Sequence, residues 1–150
     1  MRNITVGYAF CGSFCTIKKS LEALKELAKN DIKIIPIMSQ TVYSTDTRFG
    51  SAAFLREEVE DICKAKIIHD IAAAEPIGPK NLLDIAVVSP CTGNTIAKTA
   101  LGITDTPVTM AVKAHLRNNR PVLLAIASND ALAGNAENVG KLLVRKNYYF

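Results

Sequence analysis

Three short polar stretches carry the residue types that chemistry needs. The first is Cys91-Thr92-Gly93-Asn94-Thr95, a run of hydroxyl and amide side chains around one glycine. It follows the apolar run Ile85-Ala86-Val87-Val88 and precedes Ile96, Ala97, Ala100 and Leu101, spaced to form one helical stripe. A strand entering a polar loop and then a helix offers free backbone N–H groups and a positive dipole end to an anion or cofactor. Thr92, Gly93, Asn94 and Thr95 are therefore candidate cofactor-binding residues. The same spacing is equally that of an ordinary capped βα turn.

The second stretch is Gly12-Ser13, a turn after an apolar strand, with Ser39 at the end of the next strand. Gly-Ser before a helix can present N–H groups and a hydroxyl to a phosphate, or simply cap the helix. It is neither the phosphate loop ending Gly-Lys-Ser/Thr nor the dinucleotide Gly-x-Gly-x-x-Gly. The third is Thr45-Asp46-Thr47-Arg48-Phe49-Gly50. Here a guanidinium fork among hydroxyls can read a carboxylate, or else pair with Asp46 as a solvated loop arginine. Lys98 stands seven residues before Asp105 and is expected to pair with it or with a neighbouring subunit, in a structural role. His69 and His115 are isolated, and neither adjoins a nucleophile motif.

Strand and helix patterns alternate around these stretches. Strands are expected at Ile4–Phe10, Ile32–Met38, residues 66–68, the run from Ile85, residues 121–127 and the final Tyr148-Tyr149-Phe150. Helices are expected at residues 14–29, 51–63, 107–118 and 136–146, with residues 39–50 and 75–80 as loops. Ile17, Leu21, Leu24 and Ala28 make the clearest core stripe. Pro36 withdraws one ladder donor from the second strand, which suits an edge. The alternation argues a three-layer, doubly wound parallel α/β sheet of the Rossmann-like or flavodoxin-like kind, in one domain of 150 residues.

Composition narrows the partners. Apolar residues make up 49% and charged residues 21%, as in ordinary globular chains. The net charge of +4 is dispersed and does not cluster with aromatics, which suits small anions better than nucleic acid. No run of 18 apolar residues marks a membrane span, and Met1-Arg2-Asn3-Ile4 enters a strand without a signal sequence, so the expected compartment is the cytoplasm. Cys11, Cys15, Cys63 and Cys91 lack zinc-site spacing, and no metal is expected. Cys11 and Cys15 are four apart, a spacing that fits small buried residues better than ligands. The apolar ending gives no reason for the chain to stop at Phe150, and a further C-terminal tail is expected.

Pro90, Asn94, Thr95, Lys98, Ala100, Gly102 and Asp105 resemble the Pro-x-x-x-Asn-Thr-x-x-Lys-x-Ala-x-Gly-x-x-Asp motif of the homo-oligomeric flavin-containing Cys decarboxylase superfamily. Residues 44–50, 74–80 and 128–132 extend the match. Within that superfamily, the closer resemblance is to the family of dipicolinate synthase B subunits. The resemblance implies FMN packed against residues 92–95, its phosphate at Gly12, Ser13 and Ser39, and Asn94 turned toward substrate. It also implies a small dicarboxylate held by Thr45, Thr47, Arg48 and Asn129, with Asn94 and Arg48 as the catalytic candidates. Trimers or dodecamers are expected. The implied partner is a dehydrogenase-like A subunit, in an oxidoreductase active during sporulation. The superfamily's decarboxylases carry a histidine before the motif strand, whereas Glu75-Pro76-Ile77-Gly78-Pro79-Lys80 has none. Their Pro-x-Met-Asn clamp is represented only by Ala127-Ser128-Asn129-Asp130. The alternative readings are a flavin-dependent decarboxylase and a non-catalytic accessory protein.

Overall fold

A computed structural model describes residues 3–150. Met1 and Arg2, which the sequence reading runs toward the first strand, lie outside the described residues. Five strands, β1 (Ile4–Phe10), β2 (Ile32–Met38), β3 (Ile85–Cys91), β4 (Val122–Ile126) and β5 (Tyr148–Tyr149), form one parallel sheet in the order β2-β1-β3-β4-β5. This is the flavodoxin-like strand order. The chain moves outward from β1 to β2, then crosses back to β3 on the other side. The connections therefore diverge between β1 and β3, which opens a crevice at the carboxyl ends of those strands.

Among the described residues, seven α-helices connect them: α1 (Ile17–Ala28), α2 (Gln40–Ser44), α3 (Ala52–Cys63), α4 (Ile71–Ala74), α5 (Gly93–Leu101), α6 (Pro107–Leu116) and α7 (Ala136–Leu143). Two buried clusters lie against the sheet. Tyr8, Phe10, Leu24, Ile34 and Val59 join α1 and α3 to it. Val88, Ile96, Val108, Leu124 and Leu142 join α5, α6 and α7 to it. Leu24 and Leu142 are wholly buried, and each contributes about 1.5–3 kcal/mol by leaving water. A sheet covered on both faces explains why β1, β3 and β4 read as continuous apolar runs.

The structure corrects several boundaries. Residues 66–68 form no strand; Ile68 makes one bridge to Ile37, donating to the Pro36 carbonyl and accepting from Met38 N–H, both at 2.9 Å. The next rung would need an N–H from Pro36, which proline lacks. Residues 39–50 are not all loop, because the Ser39 hydroxyl accepts from Val42 N–H and starts α2. Residues 14–16 are a 3-10 turn that precedes α1. Within the expected loop at residues 75–80, Glu75–Ile77 is a 3-10 turn. The helices α6 and α7 end two and three residues early, at Leu116 and Leu143. Among the described residues, no helix is long and apolar enough to cross a membrane.

Candidate functional site

Backbone hydrogen bonds tie the loops together where the strands end. Ser39 N–H, after β2, donates to the Phe10 carbonyl of β1 at 3.0 Å. Cys11 N–H, after β1, donates to the Pro90 carbonyl of β3 at 3.2 Å, and Ala127 N–H, after β4, donates to the Cys91 carbonyl at 2.8 Å. Behind them, the Tyr8 hydroxyl donates to the Ser20 carbonyl at 3.0 Å, and the Ser20 hydroxyl donates to the Ser89 carbonyl. These bonds hold the start of the Pro90–Asp105 motif against α1. The Ser89–Pro90 peptide is cis, and the β3–β4 register shifts between Val88 and Cys91.

The polar run after β3 is largely helical, because α5 begins at Gly93. Thr92 caps it, its Oγ1 accepting from Thr95 N–H at 3.2 Å. The Gly93 and Asn94 N–H groups stand ahead of the first intrahelical bond. Asn94 is exposed, while Thr95 is buried and turned inward, donating its hydroxyl proton to Cys11 Sγ at 3.2 Å. The Thr95 side chain therefore supports the turn from beneath rather than facing the crevice. Burial pushes the Cys11 thiol up to about 11 and raises that of Cys91 well above the ordinary range, so neither is a thiolate at neutral pH.

Gly93 also meets the β4–α7 connection. A Cβ added there would lie 2.7 Å from Asn135 Nδ2 and 2.9 Å from both Asp130 Oδ1 and Ser128 Oγ. The Asp130 carboxylate accepts from the Ser128 hydroxyl and from Asn135 Nδ2, the latter at 2.9 Å. Those two bonds hold its carboxyl below the ordinary carboxylate range. Asn129, exposed beside this cluster, follows β4 on the same side as Asn94. Sequence reasoning missed the roles of Ser128, Asp130 and Asn135; the one available signal was a Ser-x-Asp pattern in a turn.

On the other side of the crevice, Gly12 and Ser13 follow β1 and Ser39 follows β2. The Ser13 hydroxyl accepts from Thr16 Oγ1 at 2.8 Å, as the Ser39 hydroxyl accepts from Val42 N–H at 3.3 Å. Each serine thus keeps its own O–H proton to donate. Thr45 and Thr47 line a cleft of about 430 Å³ shared with Phe14, Cys15, Lys18 and Phe49. Paired 3.0 Å bonds between Thr47 and Gly50 close a tight turn with Arg48 and Phe49 at its tip. Arg48 is exposed, its guanidinium carbon 4.9 Å from the Phe49 ring centroid. Asp46 instead accepts from Ala52 N–H at 2.8 Å. The expected substrate residues thus fall into two groups, Arg48 with its threonines beyond β2 and Asn129 beyond β4. Three strand spacings separate those strands, roughly 14 Å.

Other motif residues have structural partners. Lys98 Nζ reaches both Asp105 oxygens, at 2.8 and 3.0 Å. Gly102 ends α5 at φ +74°, the left-handed cap where a side chain is strained. His115 is wholly buried, its Nε2 donating to the Pro121 carbonyl at 2.9 Å while Nδ1 has no partner. Burial lowers its pKa, so it is a neutral core residue. His69 stacks on Tyr43 with ring centroids 3.9 Å apart.

The sheet order, with its loops gathered at the carboxyl ends of β1, β3 and β4, defines a doubly wound, flavodoxin-like α/β protein. The model of the Flavoprotein family matches residues 1–144, and the chain belongs to that family. It is 42% identical over 145 residues to the B subunit of dipicolinate synthase from Bacillus subtilis (strain 168), covering 97% of this chain and 72% of that protein. The crystal structure of the dipicolinate synthase B subunit from Bacillus halodurans C superposes with a TM-score of 0.88 at 39% identity, covering 99% of this chain and 78% of that one. Burkholderia xenovorans DmrB in complex with FMN shares the fold, with a TM-score of 0.76, 19% identity, and 98% and 87% of the two chains covered.

Proposed function

We propose that this chain is the B subunit of a dipicolinate synthase, a cytoplasmic oxidoreductase component of sporulation. With a dehydrogenase-like A subunit, it converts a dihydrodipicolinate-type precursor to pyridine-2,6-dicarboxylate. The observation that carries this reading is the 42% identity, extending over 97% of the chain, to a protein of that name. The segment ahead of β3 supports it over decarboxylation, since residues 75–80 contain no histidine and bury Ile77 and Gly78 against the core.

The residues at the β1/β3 crevice fit FMN. Ser13 and Ser39 retain hydroxyl protons for a phosphate, and a Cβ on Gly12 would meet nothing nearer than 3.5 Å. Thr92, Gly93 and Asn94 provide a low polar shelf for the ring, with Thr95 bracing it. Becoming aromatic costs the dihydropyridine two electrons and two protons, and bound flavin supplies the electron acceptor. Asn94 and Asn129 give neutral donors on the β3/β4 side. Arg48, with Thr45 and Thr47, supplies a carboxylate fork from the β2 side. Because those two groups stand apart in one chain, the complete diacid site forms in a homo-oligomer, a trimer or dodecamer.

The test is FMN titration of the purified protein, followed by synthase activity after reconstitution with the dehydrogenase-like partner. FMN binding that weakens in Ser13→Asp, which puts a charge where phosphate would lie, is the expected result. No FMN binding at tens of micromolar protein would favour the non-catalytic accessory reading.

A further inference from the structure

The amino end of α5 already has an anion. Asp130 reaches it from the β4–α7 connection, with Oδ1 2.9 Å from the Cβ position of Gly93, the first residue of the helix. Both carboxylate oxygens are tied, one to the Ser128 hydroxyl and the other to Asn135 Nδ2. The Asp130 carbonyl accepts from Ala133 and Asn135 N–H groups, both at 3.0 Å, which fixes the backbone as well. Asn135 is itself buried at 8% exposure. No cation pairs with Asp130 among the described residues. The result is a fixed, unneutralised negative charge beside residues 92–94, in the favourable field of the helix dipole.

We infer that Asp130 is a positioning residue that sets the redox poise of the flavin site, an inference that rests on the FMN reading above. A flavin ring that takes up two electrons and one proton gains one negative charge. A carboxylate held by Ser128 and Asn135 beside residues 92–94 opposes that gain in a ring packed on those residues, to the extent that water does not screen it. Asp130 therefore holds bound flavin in its oxidised, electron-accepting form at a lower potential than a neutral side chain would. Ser128 and Asn135 act through it, keeping the carboxylate in place.

The experiment is spectroelectrochemical titration of FMN-loaded wild type, Asp130→Asn, Asp130→Ala and Asp130→Glu. Both uncharged variants are expected to shift the oxidised–reduced equilibrium about tenfold toward reduced flavin, ~30 mV upward for a two-electron couple. Asp130→Glu should stay near wild type, and raised ionic strength should narrow the difference. A purely structural role would move all three variants together or leave every potential unchanged, and either result overturns the inference while FMN binding stands. If wild type binds no FMN, the flavin reading and this inference fall together.

Discussion

Thr95 donates its hydroxyl proton to the sulfur of Cys11 across 84 residues of sequence, at 3.2 Å. That bond joins the end of β1 to the first turn of α5, so the two sides of the crevice share one buried contact. Thr95→Val keeps the shape but strands the Thr92 hydroxyl, which lies 3.0 Å from Thr95 Oγ1. A loss of about 1–2 kcal/mol in urea unfolding is expected. Thr95→Ser, which keeps the hydroxyl, should lose less.

A side chain at Gly93 has to displace three polar side-chain atoms of the β4–α7 connection, which lie within 3.0 Å of its Cβ position. Gly93→Ala should cost about 1–3 kcal/mol as that connection is pushed away. An unchanged melting temperature would mean that residues 128–135 yield freely.

Among the described residues, Arg48 is the one arginine at the tip of a turn among hydroxyl residues. Arg48→Ala should weaken diacid binding roughly 10- to 100-fold, the worth of a charge-assisted contact. Arg48→Lys should not rescue it, since an ammonium lacks the planar fork. The measurement is the substrate dependence of reconstituted synthase. Wild-type behaviour of both variants at limiting substrate would leave Arg48 as a surface residue.

His115 makes stability depend on pH in a definite direction. Burial lowers its folded pKa below the ordinary 6.5, so below that pH the unfolded chain binds a proton that the folded chain refuses. Its contribution is complete above about 6.5 and is lost as pH falls through the window between 6.5 and the lowered value. His115→Phe should flatten the urea-midpoint profile between about pH 7 and pH 5 that wild type shows sloping downward.

Thiol labelling should separate the cysteines by exposure. Cys15 is exposed, while burial holds Cys11 and Cys63 up to about 11 and 12 and raises Cys91 well above its ordinary value. One fast-reacting thiol is expected in native protein and four after denaturation.

Features that repeat locally were legible in the chain before any coordinates. The alternation of apolar runs with helical stripes implied the doubly wound sheet, because burial on two faces leaves its period in the residue order. The spacing of Lys98 and Asp105 suggested their pairing, because those partners lie close together along the chain. Contacts across the crevice left no such trace. Thr95 turns inward to Cys11, Asp130 of the β4–α7 connection lies beside the amino end of α5, and Arg48 and Asn129 lie beyond different strands. All three depend on strand order and on which loops the sheet brings side by side. Strand order arises from the packing of distant segments, and no local period encodes the partner of a side chain 84 residues away.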